Sequence, residues 1–171
     1  MKQFNSTSAH CYSGFTMVEF LVSILVLSIG LIGLAGLQVT SLRDNSRAYM
    51  RSQASVLASD LADRVRANPT INYTTVTASE NTGCLTTAGC SATQMAQQDL
   101  FEWNNNLPSE LTSGEGVICF DSTPNDGTSA ASAACDGMGA TFAIKIWWQD
   151  KQPDSSGTVA TPQRYIMSFR R

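Results

Sequence analysis

Residues 20–37 form an apolar run of 18 positions without a formal charge. With residues 15–18 before it and 38–42 after it, the segment spans roughly 30 Å of hydrocarbon at about 1.5 Å per helical residue, which predicts a membrane span. One carboxylate, Glu19, stands at its start. Beyond the run, Leu42, Tyr49, Met50, Leu57, Leu61 and Val65 recur at helical spacing, with Arg43, Arg47, Arg51, Asp60, Asp63 and Arg64 among them. The same helix therefore continues as an amphipathic stem. It ends near Asn68-Pro69, because the residue before a proline is pushed out of the helical region. A helix over 15–67 is about 80 Å long, and its apolar stripe is the face that the rest of the fold should cover.

The pattern then changes. Ser91 with Gln94 has the form of a capping box, and Ala96, Leu100, Trp103 and Leu107 follow at helical spacing, predicting a short helix that stops before Pro108. Strands are predicted at 117–120, 141–149 and 164–170. In the second, Phe142, Ile144, Ile146 and Trp148 alternate with Ala143, Lys145, Trp147 and Gln149; in the third, Tyr165, Met167 and Phe169 alternate with Ile166, Ser168 and Arg170. Trp147 and Trp148 thus face opposite ways, one toward the core and the other half-exposed. The expected fold class is α+β, a long N-terminal helix packed on a small C-terminal antiparallel sheet.

Composition sharpens this reading. At 171 residues the chain has room for one globular domain and an anchor, and no repeat is visible. A net charge of -3 leaves no basic surface for phosphates, which argues against a nucleic-acid partner. Residues 70–135 are rich in Thr, Ser, Ala, Asn and Gly, the mix of exposed loops. A cleaved secretory signal fits poorly, since Ala35-Gly36-Leu37 is a weak cleavage site and Glu19 interrupts the apolar core. A lipoprotein reading through Cys11 fails because His10 precedes it. Orientation is contested: Lys2 precedes the span while Arg43, Arg47 and Arg51 follow it, which by the positive-inside tendency would keep the head in the cytoplasm. Four cysteines in the loop-rich head, Cys84, Cys90, Cys119 and Cys135, point to an oxidising compartment instead, and they outweigh the charge bias.

The stretch Gly14-Phe15-Thr16-Met17-Val18-Glu19 joins a short polar leader, a glycine, an aromatic residue and a carboxylate to the apolar run, all in register. It resembles the N-terminus of the type IV pilin and pseudopilin class. The resemblance implies cleavage by a prepilin peptidase after Gly14, N-methylation of Phe15 as first mature residue, and pairing of Glu19 with the amine of a neighbouring subunit. Glycine at the cut lets backbone approach backbone closely. The alternative for Glu19 is a carboxylate snorkelling to the membrane surface from the first helical turn, where the helix dipole favours it, and the assembly role is preferred over it. Gly30, Gly33 and Gly36, with Ser23 and Ser28 before them, permit close helix packing in lipid, and this half of the helix has no proline. Three later blocks, Ala62-Asp63-Arg64-Val65-Arg66-Ala67-Asn68-Pro69, Asp99-Leu100-Phe101-Glu102-Trp103-Asn104 and Gly114-Glu115-Gly116-Val117-Ile118-Cys119, are similar to the minor pilins of the PilV type, although the charges of the first also suit a solvated helix end.

The resemblance thus implies a pilin-like organisation: a leader at 1–14, a transmembrane and filament-core half at 15–41, a stem at 42–68 and a globular head at 69–171. Cleavage would discard Cys11 and leave four cysteines, whose nearest-neighbour pairing is Cys84 with Cys90 and Cys119 with Cys135 among three possible connectivities. The larger bridge is worth roughly 3 kcal/mol in the chain-entropy model. Cleavage would also remove His10, the sole histidine, and with it Ser-His or Cys-His catalysis and histidine-bound metal. The cysteine spacings do not suit zinc, and Asp121, Asn125, Asp126 and Asp136 miss the spacing of a calcium-binding loop. No catalytic residue, cofactor or metal is expected.

The implied function is that of a minor type IV pilin, a structural subunit that primes or modifies the pilus and supports twitching motility and adhesion. Its implied partners are other minor pilins, the major pilin, the prepilin peptidase and the inner-membrane assembly platform. It would sit in the inner membrane of a Gram-negative cell with its head in the periplasm, and then in the extracellular pilus. A minor pseudopilin of type II secretion shares the N-terminal motif. A binding module at a pilus tip, recognising a surface or DNA, is the alternative of a different class.

Overall fold

A computed structural model describes residues 14–150 and 162–170. In chain order its elements are helix α1 (Met17–Ala67), helix α2 (Ala92–Glu110) and strands β1 (Glu115–Phe120), β2 (Phe142–Trp148) and β3 (Gln163–Phe169). Short 3-10 turns at Tyr73–Thr75 and Thr82–Leu85 lie between the helices. A long N-terminal helix, a small antiparallel sheet and two disulfides make this the α+β fold that the pattern predicts. The chain divides into two compact units, Met1–Asp44 and Asn45–Arg171.

In the first unit every described residue is exposed. α1 is helical from Met17, and its most apolar window of 18 residues has a mean hydropathy of 2.6. It is long and apolar enough to cross a membrane. The hydroxyls inside it are satisfied locally: Ser23 donates to the Glu19 carbonyl and Ser28 to that of Ile24, each at 2.7 Å, and Thr40 donates to Gly36 at 3.2 Å. This removes the cost of bringing bare hydroxyls into hydrocarbon.

The second unit holds the core. α1 contributes Ala54, Leu57, Ala58, Leu61, Ala62 and Val65, α2 contributes Ala96, Leu100, Trp103 and Leu107, and the sheet adds Ile118, Phe142, Ile144, Ile146, Trp148 and Phe169. Each large side chain fully buried here contributes about 1.5–3 kcal/mol. The buried stripe of α1 starts later than the periodicity predicts. Leu42 and Tyr49 remain 69% and 56% exposed, and Met50 is only half-buried. Alanines 54, 58 and 62, which carry little hydropathic signal, are the contact points, because a small side chain lets neighbouring elements come close. The helix ends at Ala67, as the following Asn68-Pro69 requires.

α2 opens with the predicted box: Ser91 Oγ accepts from the Gln94 N–H, while Gln94 Oε1 accepts from the Ser91 N–H at 3.0 Å. It does not stop before Pro108 but runs on to Glu110. Proline in the last turn removes a single donor, the one that would meet the carbonyl of exposed Asn104, and Leu111 N–H closes the turn on Leu107 at 2.9 Å. β1 then enters through Gly116, where a Cβ would lie 2.5 Å from Trp103 Cη2 and 3.1 Å from the Lys145 carbonyl oxygen.

The sheet is antiparallel in the order β1-β2-β3, with Ile118 opposite Ile144 and Ile144 opposite Met167. Its front face packs in the core. Its back face departs from expectation, since all seven residues of β2 are buried, Trp147 at 2% exposure as well as Trp148 at 4%. No half-exposed tryptophan exists there, because the connection over residues 121–141 folds onto that face.

Candidate functional site

Helix α1 starts where the apolar run meets the polar leader. Thr16 Oγ1 accepts the Glu19 N–H at 3.3 Å, and Phe20 N–H bonds the Thr16 carbonyl at 3.2 Å, so Thr16 caps the helix and Glu19 lies in its first turn. Gly14 and Phe15 precede the cap and are exposed, Phe15 by 77%. Gly14, Phe15 and Glu19 thus fall within about one turn of one another. The Glu19 carboxylate meets no cationic side chain among the described residues, and a Cβ at Gly14, Gly30, Gly33 or Gly36 would meet nothing within 4 Å. The capping threonine escaped the sequence reading, although Thr16 and Glu19 have the three-residue spacing of a capping box. Residues 1–13 of the expected leader, with His10 and Cys11, lie outside the described residues.

At the far end of α1, Arg64 draws together residues from two sequence blocks. Its Nε meets Asp60 Oδ2 at 3.0 Å, and its Nη1 meets Asp99 Oδ1 at 3.1 Å and Glu102 Oε2 at 2.8 Å. Tyr73 donates its phenol proton to Asp99 Oδ2 at 2.6 Å. Burial works against the charge on Arg64, but Glu102, Asp60 and Asp99 outweigh it and hold the guanidinium more firmly protonated than usual. Glu102 in turn is held below the usual carboxylate range by the hydrogen bonds from Arg64 and then Gln98. The Tyr73 phenol is pushed up, first by burial and then by its bond to Asp99. The cluster Asp63, Arg64, Arg66 is therefore split. Arg64 locks α1 to α2, while Arg66 pairs with Asp63 at 2.8 Å and lies over the Phe169 ring.

The cysteines of the head are bonded as Cys84 to Cys90 and Cys119 to Cys135, with Cα separations of 4.7 and 6.2 Å. Cys119, Cys135 and Asp121 lie close enough to suggest a metal cluster, but the two sulfurs are bonded to each other and Asp121 faces Lys145. Lys145, wholly buried, places Nζ 2.6 Å from Asp126 Oδ1, 2.7 Å from the Ala133 carbonyl and 2.5 Å from Asp121 Oδ2, the last an ion pair outside hydrogen-bond geometry. The bond from Lys145 holds the Asp126 carboxyl below its ordinary value. Asp136 lies low as well, through the Ser122 hydroxyl and the Met138 N–H. The acidic residues read as a calcium candidate thus separate into two that surround an ammonium and one that caps a turn. The signal for Lys145 was present in the sequence as the single charge in a strand of otherwise apolar residues.

Two family models match the chain in adjoining stretches. The prokaryotic N-terminal methylation motif covers residues 10–35, the glycine, the aromatic residue, the carboxylate and most of the apolar run. The model of the type IV pilin Tt1218 covers residues 36–101, from the end of the apolar run through the stem and the first disulfide to the first half of α2. No curated relative and no solved structure matches the chain. The methylation motif lies at the start of the exposed apolar part of α1 and the pilin match continues from it, and together the two matches support the type IV pilin class.

Proposed function

We propose that this protein is a minor type IV pilin, cut between Gly14 and Phe15 by a prepilin peptidase and methylated on the new amine of Phe15. Before assembly α1 anchors it in the inner membrane with its head in the periplasm. The assembly platform then moves it into a pilus with other minor pilins and the major pilin, in support of twitching motility and adhesion. The observation that carries this reading is Glu19, a carboxylate in the first turn of α1 at the start of its exposed apolar segment, with no cationic side chain near it among the described residues. A charge in that position is costly in lipid unless a partner arrives. The amine of a neighbouring Phe15 supplies one.

The test replaces Glu19 by Val and follows processing, abundance and recovery in sheared filaments. Normal processing with loss from filaments is expected; recovery at the wild-type level refutes the assembly role. Deletion of the gene, scored for surface pili against secreted proteins, separates the pilus from a secretion machine. Loss of secretion with normal pili overturns the pilus assignment.

A further inference from the structure

The connection over residues 121–141 contributes nothing to the hydrophobic core cluster, yet it lies over the back face of β2, every residue of which is buried. It is pinned by one charged side chain from each strand. Glu115 on β1 accepts the Ala130 N–H through Oε1 at 3.0 Å. Lys145 on β2 holds Asp121, Asp126 and the Ala133 carbonyl. Arg164 on β3 donates to the Gly127 carbonyl at 2.6 Å and to Asn125 Oδ1 at 3.0 Å. Glu115, Trp147 and Arg164 stand directly opposite one another across the sheet. The connection also folds tightly on itself: Gly127 adopts φ +81, and a Cβ there would lie 2.5 Å from the Ala133 carbonyl oxygen. The Cys119–Cys135 bond, spanning 16 positions, ties it to the end of β1.

We propose that residues 121–141 are a redox-closed latch over the back face of the sheet, held by Glu115, Lys145 and Arg164 only while the Cys119–Cys135 bond restricts the loop. A segment made largely of Ser, Thr, Ala, Gly, Asn and Asp buries little apolar surface to offset the entropy of ordering it, and polar pins alone contribute little net free energy each. The covalent bond removes the loop-closure part of that entropy beforehand. Two groups beneath the latch gain from opening. The Lys145 ammonium recovers its hydration, and the Trp147 indole N–H, buried without an acceptor, finds one in water. Opening is therefore local, leaving the front core of α1, α2 and β2 packed. Closure consumes a disulfide oxidant: the two thiols lose two electrons and two protons, and the oxidant's disulfide becomes two thiols through a mixed-disulfide intermediate.

The test uses the full chain in detergent and peptide-resolved hydrogen exchange. The Cys119→Ser, Cys135→Ser double variant, which leaves Cys84–Cys90 intact, is expected to exchange roughly a hundredfold faster over 121–141, the factor set by the closure entropy of such a loop. Residues 54–65 and 96–107 should keep their wild-type rates. Unchanged protection of 121–141, or an equal rise in the two helices, overturns the latch. Should that variant fail to fold, Arg164→Gln, at a half-buried position, decides the matter with the disulfide in place. Faster exchange over 125–130 alone supports the pins, and wild-type exchange there refutes them.

Discussion

Replacing Arg64 by Met removes the guanidinium that joins α1 to α2 while keeping the length of the side chain. Three contacts vanish, to Asp60, Asp99 and Glu102. Asp60 is 44% exposed and returns to water at little cost. Asp99, whose side chain is 11% exposed, keeps only Tyr73, and Glu102, 35% exposed, keeps Gln98. Arg64 itself is 27% exposed. With hydrogen bonds to charged groups near 1.5–3 kcal/mol and a discount for this exposure, the expected loss is about 2 kcal/mol. In thermal unfolding of the full chain in detergent that lowers Tm by about 8 °C. The pH dependence gives a second check. Glu102 has a native pKa below its unfolded value because Arg64 donates to it, so its contribution is complete above the ordinary carboxylate range and fades as pH falls through the depressed native value. The difference between wild type and Arg64→Met should therefore shrink as the pH drops below about 4. A difference under about 0.5 kcal/mol at neutral pH, the ordinary size of a surface change, or one constant across the acid range, refutes the coupling.

Other expectations follow from the same structure. Gly116→Ala brings a methyl to 2.5 Å from Trp103 Cη2 and should cost about 1–3 kcal/mol by denaturant titration, since a buried indole against a strand carbonyl has little room to shift. Leu61→Ala, at a fully buried site, should cost about 2–5 kcal/mol, while Val56→Ala on the exposed side of the same helix should stay within about 0.5 kcal/mol; similar values for the two would contradict the covered face. The Tyr73 phenol should ionise above its ordinary range in a spectrophotometric titration of the folded chain, and Tyr73→Phe should remove that late step.

Much of this protein can be read without its structure. The apolar run, the stem ending at Asn68-Pro69, the Ser91 box and the three strands all rest on local periodicity, cap chemistry and the steric reach of a proline, which act over a few residues. The same holds for the glycine, aromatic residue and carboxylate at the start of α1, because their order in the chain is itself the signal. Even Thr16 could have been found from its distance to Glu19.

What the sequence by itself left undecided are matters of who covers whom. Alternation placed Lys145 and Trp147 on the same side of β2 and left one tryptophan of the pair half-exposed, but alternation distinguishes faces and says nothing of what lies over them. A loop whose residues resemble solvent-exposed chain covers that side, drawn there by ion pairs between positions 19 and 24 apart in sequence and by a disulfide. In the same way, periodicity found the stripe on the stem but not its extent, since cover stops where the head stops, near Ala54. Local sequence determined the elements and the N-terminal motif. Tertiary contact decided which charges are buried, because burial depends on the neighbours that a distant part of the chain supplies.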